Sequence, residues 1–143
     1  MGFSHANLIS ILIAAVAAWI FGGDYYTALG KPWMAAQGKT LEQCKAEQDG
    51  KSGFAKGAPF VIVFVSEIII AWVLYGILLH LNVFTLRAGI VSALFCWFGF
   101  VLTTIATNYA FHGRKIMLTV IDAGHWLAVL IVMGAILGAF GVR

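Results

Sequence analysis

The chain has 143 residues, 62% of them hydrophobic and only 10% charged, with a mean hydropathy of +0.94. A soluble domain carries about 25% charged residues, so this composition is built to meet lipid. It excludes a secreted disulfide scaffold, a nucleic-acid-binding domain and a disordered tail. The net charge of +3 is no nucleic-acid signal, because a basic groove needs clustered Lys and Arg on a polar scaffold.

A transmembrane helix needs roughly 20 mostly apolar residues. Four segments qualify, at about 6–23, 59–81, 87–111 and 116–142. Barrel strands are about 10 residues long and alternate apolar with polar; these runs are longer and apolar all round. The expected fold is all-α: a single transmembrane domain over 1–143, a four-helix up-down bundle with a short amphipathic segment in its first loop.

The first span is expected to be retained, because Met1 to His5 lacks the Lys or Arg of a signal-peptide n-region. The loop after it holds nine of the fifteen charged residues, from Asp24 to Lys56. Tyr25, Tyr26, Lys31 and Trp33 are expected at the headgroup level as interfacial anchors. Pro32 stands early in a predicted helical turn. Thr40 and Gln43 fit a capping box, and a short surface helix should run to about Gln48 and end at Gly50. Lys51 to Gly57 reads as a flexible link.

The second span carries Glu67, and the fourth carries Asp122 and His125 one helical turn apart on the same face. An ionised acid at the bilayer centre costs at least about 2.5–3.5 kcal/mol, so both acids should face the interior. At 1.5 Å per residue, Glu67 lies about 12 Å inside its span, Asp122 about 9 Å and His125 about 14 Å. On the third span Thr103 and Thr104 lie about 10–12 Å in, with Asn108 slightly nearer the end. These depths predict one polar level, where Glu67, Asp122, His125, Thr103, Thr104 and Asn108 form a pocket for a proton, a cation or a small ligand. The alternative is interhelical glue, at about 0.6 kcal/mol per polar contact.

The turns at 82–86 and 112–115 are short enough to force antiparallel neighbours. With four spans, the first and third loops share a side and hold seven Lys and Arg, against two on the other side. The positive-inside rule then puts both termini outside the cytoplasm. Cys44 and Cys96 fall at different levels, so no disulfide is expected. His5 and His80 fall near the outer face. Gly134 and Gly138 on the fourth span form a small-xxx-small motif. Their face cannot also be the acid face, so they should pack closely on the first span or on another copy of the fourth.

No enzymatic activity, metal or cofactor is expected. Gly-x-Ser-x-Gly, His-Glu-x-x-His and phosphate-binding glycine loops are absent. So are Cys-x-x-Cys-His and the Glu-x-x-His of di-iron bundles. The expected partners are the lipid bilayer and either a second copy or another membrane protein.

Asn7 opening the first span, Tyr25-Tyr26 at its end, Gly30-Lys31-Pro32-Trp33-Met34, Ile121-Asp122-Ala123-Gly124-His125 and the late Gly134-Ala135-Ile136-Leu137-Gly138 together carry a resemblance. In these the chain resembles the bacterial membrane proteins grouped as domain of unknown function 1761. The resemblance implies a small four-span protein of the bacterial inner membrane and supplies no catalytic residue. Two readings stand: a membrane protein that binds or moves a proton, cation or small ligand, and a non-catalytic accessory or assembly protein of another membrane complex.

Overall fold

A computed structural model describes the backbone of residues 5–141 and the side chains of 7–141. Arg143, the Val142 end of the fourth predicted span and the His5 side chain lie outside the described residues. The helices are α1 (His5–Ala28), α2 (Gly30–Gln37), α3 (Leu41–Asp49), α4 (Gly53–Leu81), α5 (Leu86–Cys96), α6 (Thr103–Phe111) and α7 (Ile116–Phe140), with a π-helical segment, Trp97–Leu102, joining α5 to α6. No strand occurs among the described residues. Four stretches among them are long and apolar enough to cross a membrane: Asn7–Ala28, Gly53–Leu81, Leu86–Phe111 and Ile116–Phe140.

The span cores agree with the sequence, but their ends need correction. The first helix does not stop near Gly23; it continues to Ala28. Packing of Tyr25 and Tyr26 overrides the weak helix propensity of Gly22-Gly23-Asp24. The predicted link Lys51–Gly57 is mostly helix. Ser52 caps α4 by accepting from the Ala55 N–H at 3.3 Å, so Pro59 lies inside the helix rather than at its start. There its ring removes the donor that the Ala55 carbonyl would have used. The loop between the first two spans contains two helices. Thr40 and Gln43 do form the reciprocal capping box of α3. A 2.7 Å ion pair joins Lys39 to Glu47, and the ammonium holds that carboxyl below its ordinary range.

Three helix ends follow one chemistry. After α2, α4 and α6 the chain enters the left-handed region at Gly38, Asn82 and Gly113. The next N–H then reaches back five residues, as Lys39 does to Met34, Val83 to Leu78 and Arg114 to Tyr109. This Schellman arrangement satisfies otherwise orphaned carbonyls and makes the tight turns at 82–85 and 112–115.

Helix α7 is the hub. It touches α1, α2, α4, α5, the π segment and α6, and 50% of its apolar window is buried, against 17% for the third span. The core stripe on α4 is Glu67, Ala71, Leu74, Tyr75 and Leu78. It meets Ala14, Ala15 and Ala18 of α1, together with Val129, Met133 and Leu137 of α7. Small residues on α1 let its backbone come close.

The glycine face of α7 does make a close backbone contact, but the partner is neither the first span nor another copy. It is α5. A Cβ added at Gly89 would strike the Gly134 carbonyl, and one added at Gly138 would strike the Thr85 carbonyl. The contact exists because Gly89 faces Gly134 and both lack side chains. The contacts run in opposite directions along the two helices, Thr85 to Gly138 and Gly89 to Gly134.

The third span is not one unbroken α-helix. Tyr109 lies twelve residues past Trp97, which in an α-helix places them about 120° apart. A π-turn takes roughly one residue more per turn. The surplus returns about 100°, and both side chains then face α7.

Candidate functional site

The polar groups of α7 cluster at the end that meets α2 and the 112–115 turn. Asp122 is 8% exposed, and three elements converge on it. Tyr26 of α1 donates its hydroxyl to Oδ1 at 2.7 Å, and the Trp33 indole of α2 donates to the same oxygen at 3.0 Å. Tyr109 of α6 donates to Oδ2 at 2.6 Å. The two adjoining stretches of α7 backbone are clasped as well. The Tyr25 hydroxyl donates to the Ile121 carbonyl at 2.9 Å, and the Trp97 indole donates to the Ala123 carbonyl at 2.8 Å. Lys115 adds an ammonium to the Ala35 carbonyl at 3.2 Å, tying the start of α7 to α2.

These donors include the residues expected as interfacial anchors. Tyr25, Tyr26 and Trp33 turn their polar ends inward, where the Ile121 carbonyl and the Asp122 carboxylate of α7 accept from them. Lys31 is exposed. Gly124 matters here through its bare backbone, since a Cβ there would lie 3.0 Å from the Tyr25 hydroxyl.

His125 is 4% exposed and sits among aromatic rings, with centroids at 5.5 Å from Tyr25, 4.8 Å from Tyr26 and 5.2 Å from Trp126. Its Nε2 faces Gly22, where an added Cβ would come within 2.8 Å. Its Nδ1 has no hydrogen-bond partner.

Glu67 stands apart. Its residue is 0% exposed, and neither carboxyl oxygen meets a partner. The two intramembrane acids therefore share no polar partner, and the single level expected from depth alone divides into a thrice-bonded acid and an isolated one. The threonine and asparagine expectations need correction in placement. Thr103, Thr104 and Asn108 are exposed on the outer side of the bundle. The π-turn gives the inner face to Trp97 and Tyr109, and the Thr103 hydroxyl donates into its own helix, to the Gly99 carbonyl at 2.8 Å. Among the described residues, no three His, Cys, Asp or Glu side chains gather to hold a metal ion.

Sequence reasoning missed Tyr109 and Trp97 as site residues. A phenol and an indole, one on each side of the acid's level and separated by a helical stretch, were the available signal. Their common face becomes visible only once the π-turn is known.

An all-helical bundle with four long apolar stretches and polar groups turned onto one central helix is the architecture of a multi-pass membrane protein. The family described as protein of unknown function (DUF1761) matches residues 9–138, and the chain belongs to it. No curated protein and no solved structure matches the chain.

Proposed function

We propose that the chain is a multi-pass protein of the bacterial inner membrane that carries out no chemistry of its own and serves another membrane complex as an accessory or assembly component. The observation that supports this reading is that Asp122 is bonded on both oxygens by this chain's own donors. A carboxylate has about four acceptor positions, and three of them are taken from within the bundle. The acid that would have centred a ligand pocket is a brace that fixes α1, α2 and α6 onto α7.

A second reading draws on one specific observation. Glu67 is sealed and unpartnered, and intramembrane acids are functional candidates by default. It is sealed from solvent on every side, so a proton is the one ligand that fits without opening the bundle. One experiment separates the readings. The purified chain is reconstituted into liposomes holding a pH-sensitive dye, and proton flux is read under an imposed potential. In parallel, its size is read on native gels of gently solubilised membranes. The accessory role expects flux equal to protein-free liposomes and a native assembly that contains other proteins. Flux that Glu67→Gln abolishes, from a chain migrating without other proteins, would overturn it.

A further inference from the structure

Glu67 stands at the middle of α4, fourteen residues from Gly53 and fourteen from Leu81, so about 21 Å from either end of the helix. The two halves of α4 differ. No residue from Gly53 to Ser66 is buried, whereas Glu67, Ala71, Leu74, Tyr75 and Leu78 all are. Glu67 is thus the first buried residue of the helix, at the border between a loosely packed half and a packed one. In the loose half Phe60, Val61 and Ile62 are exposed, and the Trp19 indole reaches the Phe60 carbonyl at 3.4 Å. The Asp122 cluster clasps α1, α2 and α6 onto α7, and no α4 side chain enters it. Among the described side chains, the titratable groups are Lys56, Tyr75 and His80 on α4 itself and, on the helices packed against it, Asp24, Tyr25 and Tyr26 of α1, Arg87 and Cys96 of α5, and Asp122 and His125 of α7. None bonds Glu67, and none acts on it as a neighbouring charge. The α1 face opposite the α4 stripe is Ala14, Ala15 and Ala18, which offers no side-chain donor.

We propose that Glu67 is a proton-operated latch on α4. A bare carboxylate in hydrocarbon is costly, and the group is neutral there instead. With its proton in place the acid lies in the closed bundle. When that proton passes to water, the carboxylate needs solvent, and water reaches it only if part of α4 moves aside. The N-terminal half is the part that moves, because segments with few buried side chains open most readily. It swings away from α1 and α7, while the packed half, Ala71 to Leu78, keeps its place. A switch requires a charge event beside an element with two arrangements, and Glu67 sits at the border where α4 changes from loose to packed. Protonation closes the helix and deprotonation opens it, so the open state gains as pH rises.

A latch of this kind serves an accessory protein as well as a carrier, so absent proton flux leaves it standing. Its test is the distance between paired spin labels in lipid nanodiscs, in a Cys44→Ser, Cys96→Ala background. Ile62→Cys with Val120→Cys joins the loose half of α4 to α7, and Val73→Cys with Phe140→Cys joins the packed half to it; all four residues are exposed. Between about pH 6, where an exposed glutamate is already ionised, and about pH 9, the first distance should lengthen and the second should hold. In Glu67→Gln, whose amide stays neutral, the first distance should keep its acid value throughout. Infrared spectra of the wild-type chain, which need no substitution, should show at about pH 6 a protonated carboxyl band that isotopically labelled glutamate shifts and alkaline buffer removes. A first distance that ignores pH, equal lengthening of both pairs, the same change in Glu67→Gln, or the absence of that band would each overturn the proposal.

Discussion

Asp122 receives a hydroxyl from α1, an indole from α2 and a hydroxyl from α6, so one side chain carries contacts on which three elements depend. Asp122→Leu removes all three bonds and leaves three donors without acceptors. At about 0.6 kcal/mol per interhelical bond the loss should reach about 2 kcal/mol. Asp122→Asn keeps one oxygen for Tyr26 and Trp33, and the Tyr109 hydroxyl can turn to accept from the new amide, so it should lose about half as much. Tyr109→Phe should cost a single bond. Thermal unfolding in detergent measures the order, and a Leu variant as stable as wild type would remove the brace. That Glu67, Asp122 and His125 face inward was legible, because an apolar span permits an acid few other positions. The identity of their partners was not. Tyrosine and tryptophan near a span end serve equally well as interfacial anchors and as interior donors, and sequence alone does not separate the two uses. Threonine is ambiguous in the same way, since its hydroxyl can return to its own helix, as that of Thr103 does.

At the scale of elements, α5 and α7 meet backbone to backbone at Gly89 and Gly134. Gly89→Ala would drive a methyl into the Gly134 carbonyl and force the helices apart, at a cost of about 1–3 kcal/mol by the measure of overpacked cores. Gly76 is the control, because an added Cβ there meets nothing within 4 Å; Gly76→Ala should leave stability unchanged or raise it by up to about 1 kcal/mol. The comparison is read from unfolding midpoints of the two variants in one detergent. The motif on α7 was legible from the spacing of Gly134 and Gly138, but its partner was not. A lone Gly89 has no spacing to mark it, and only the register between helices shows what it faces. Helix ends were legible where local chemistry decides them, as in the Thr40–Gln43 box. They were misread where packing decides them, as at Tyr25 and Tyr26.

For the whole molecule, hydropathy finds four spans of similar character, yet their roles differ. Helix α7 is half buried and the third span lies largely outside. Mean hydropathy does not rank them, because burial follows from shape: α7 carries the small residues and the acid that neighbours close upon. Orientation in the bilayer rests on charge alone. With seven Lys and Arg on one side against two on the other, the positive-inside rule predicts the 112–115 turn in the cytoplasm and both ends of the chain outside. A reporter active only in the cytoplasm, fused after Arg143, should be silent, and the same reporter inserted at Gly113 should be active. Activity at the first site and silence at the second would reverse the topology.

The π-turn at Trp97–Leu102 separates what the membrane requires from what the site requires. Crossing the bilayer needs only enough length, and Leu86–Phe111, at 26 residues, has some to spare. Losing one residue within that turn would return the segment to an ordinary α-helix and leave a competent span. Tyr109 would then lie eleven residues past Trp97, about 20° around an α-helix, so both side chains would still face α7. A one-residue deletion here is therefore silent to insertion and to the brace alike. Closing the turn to an α-helix at unchanged length is the damaging change, because it would rotate Tyr109 away from Asp122 by about 100°.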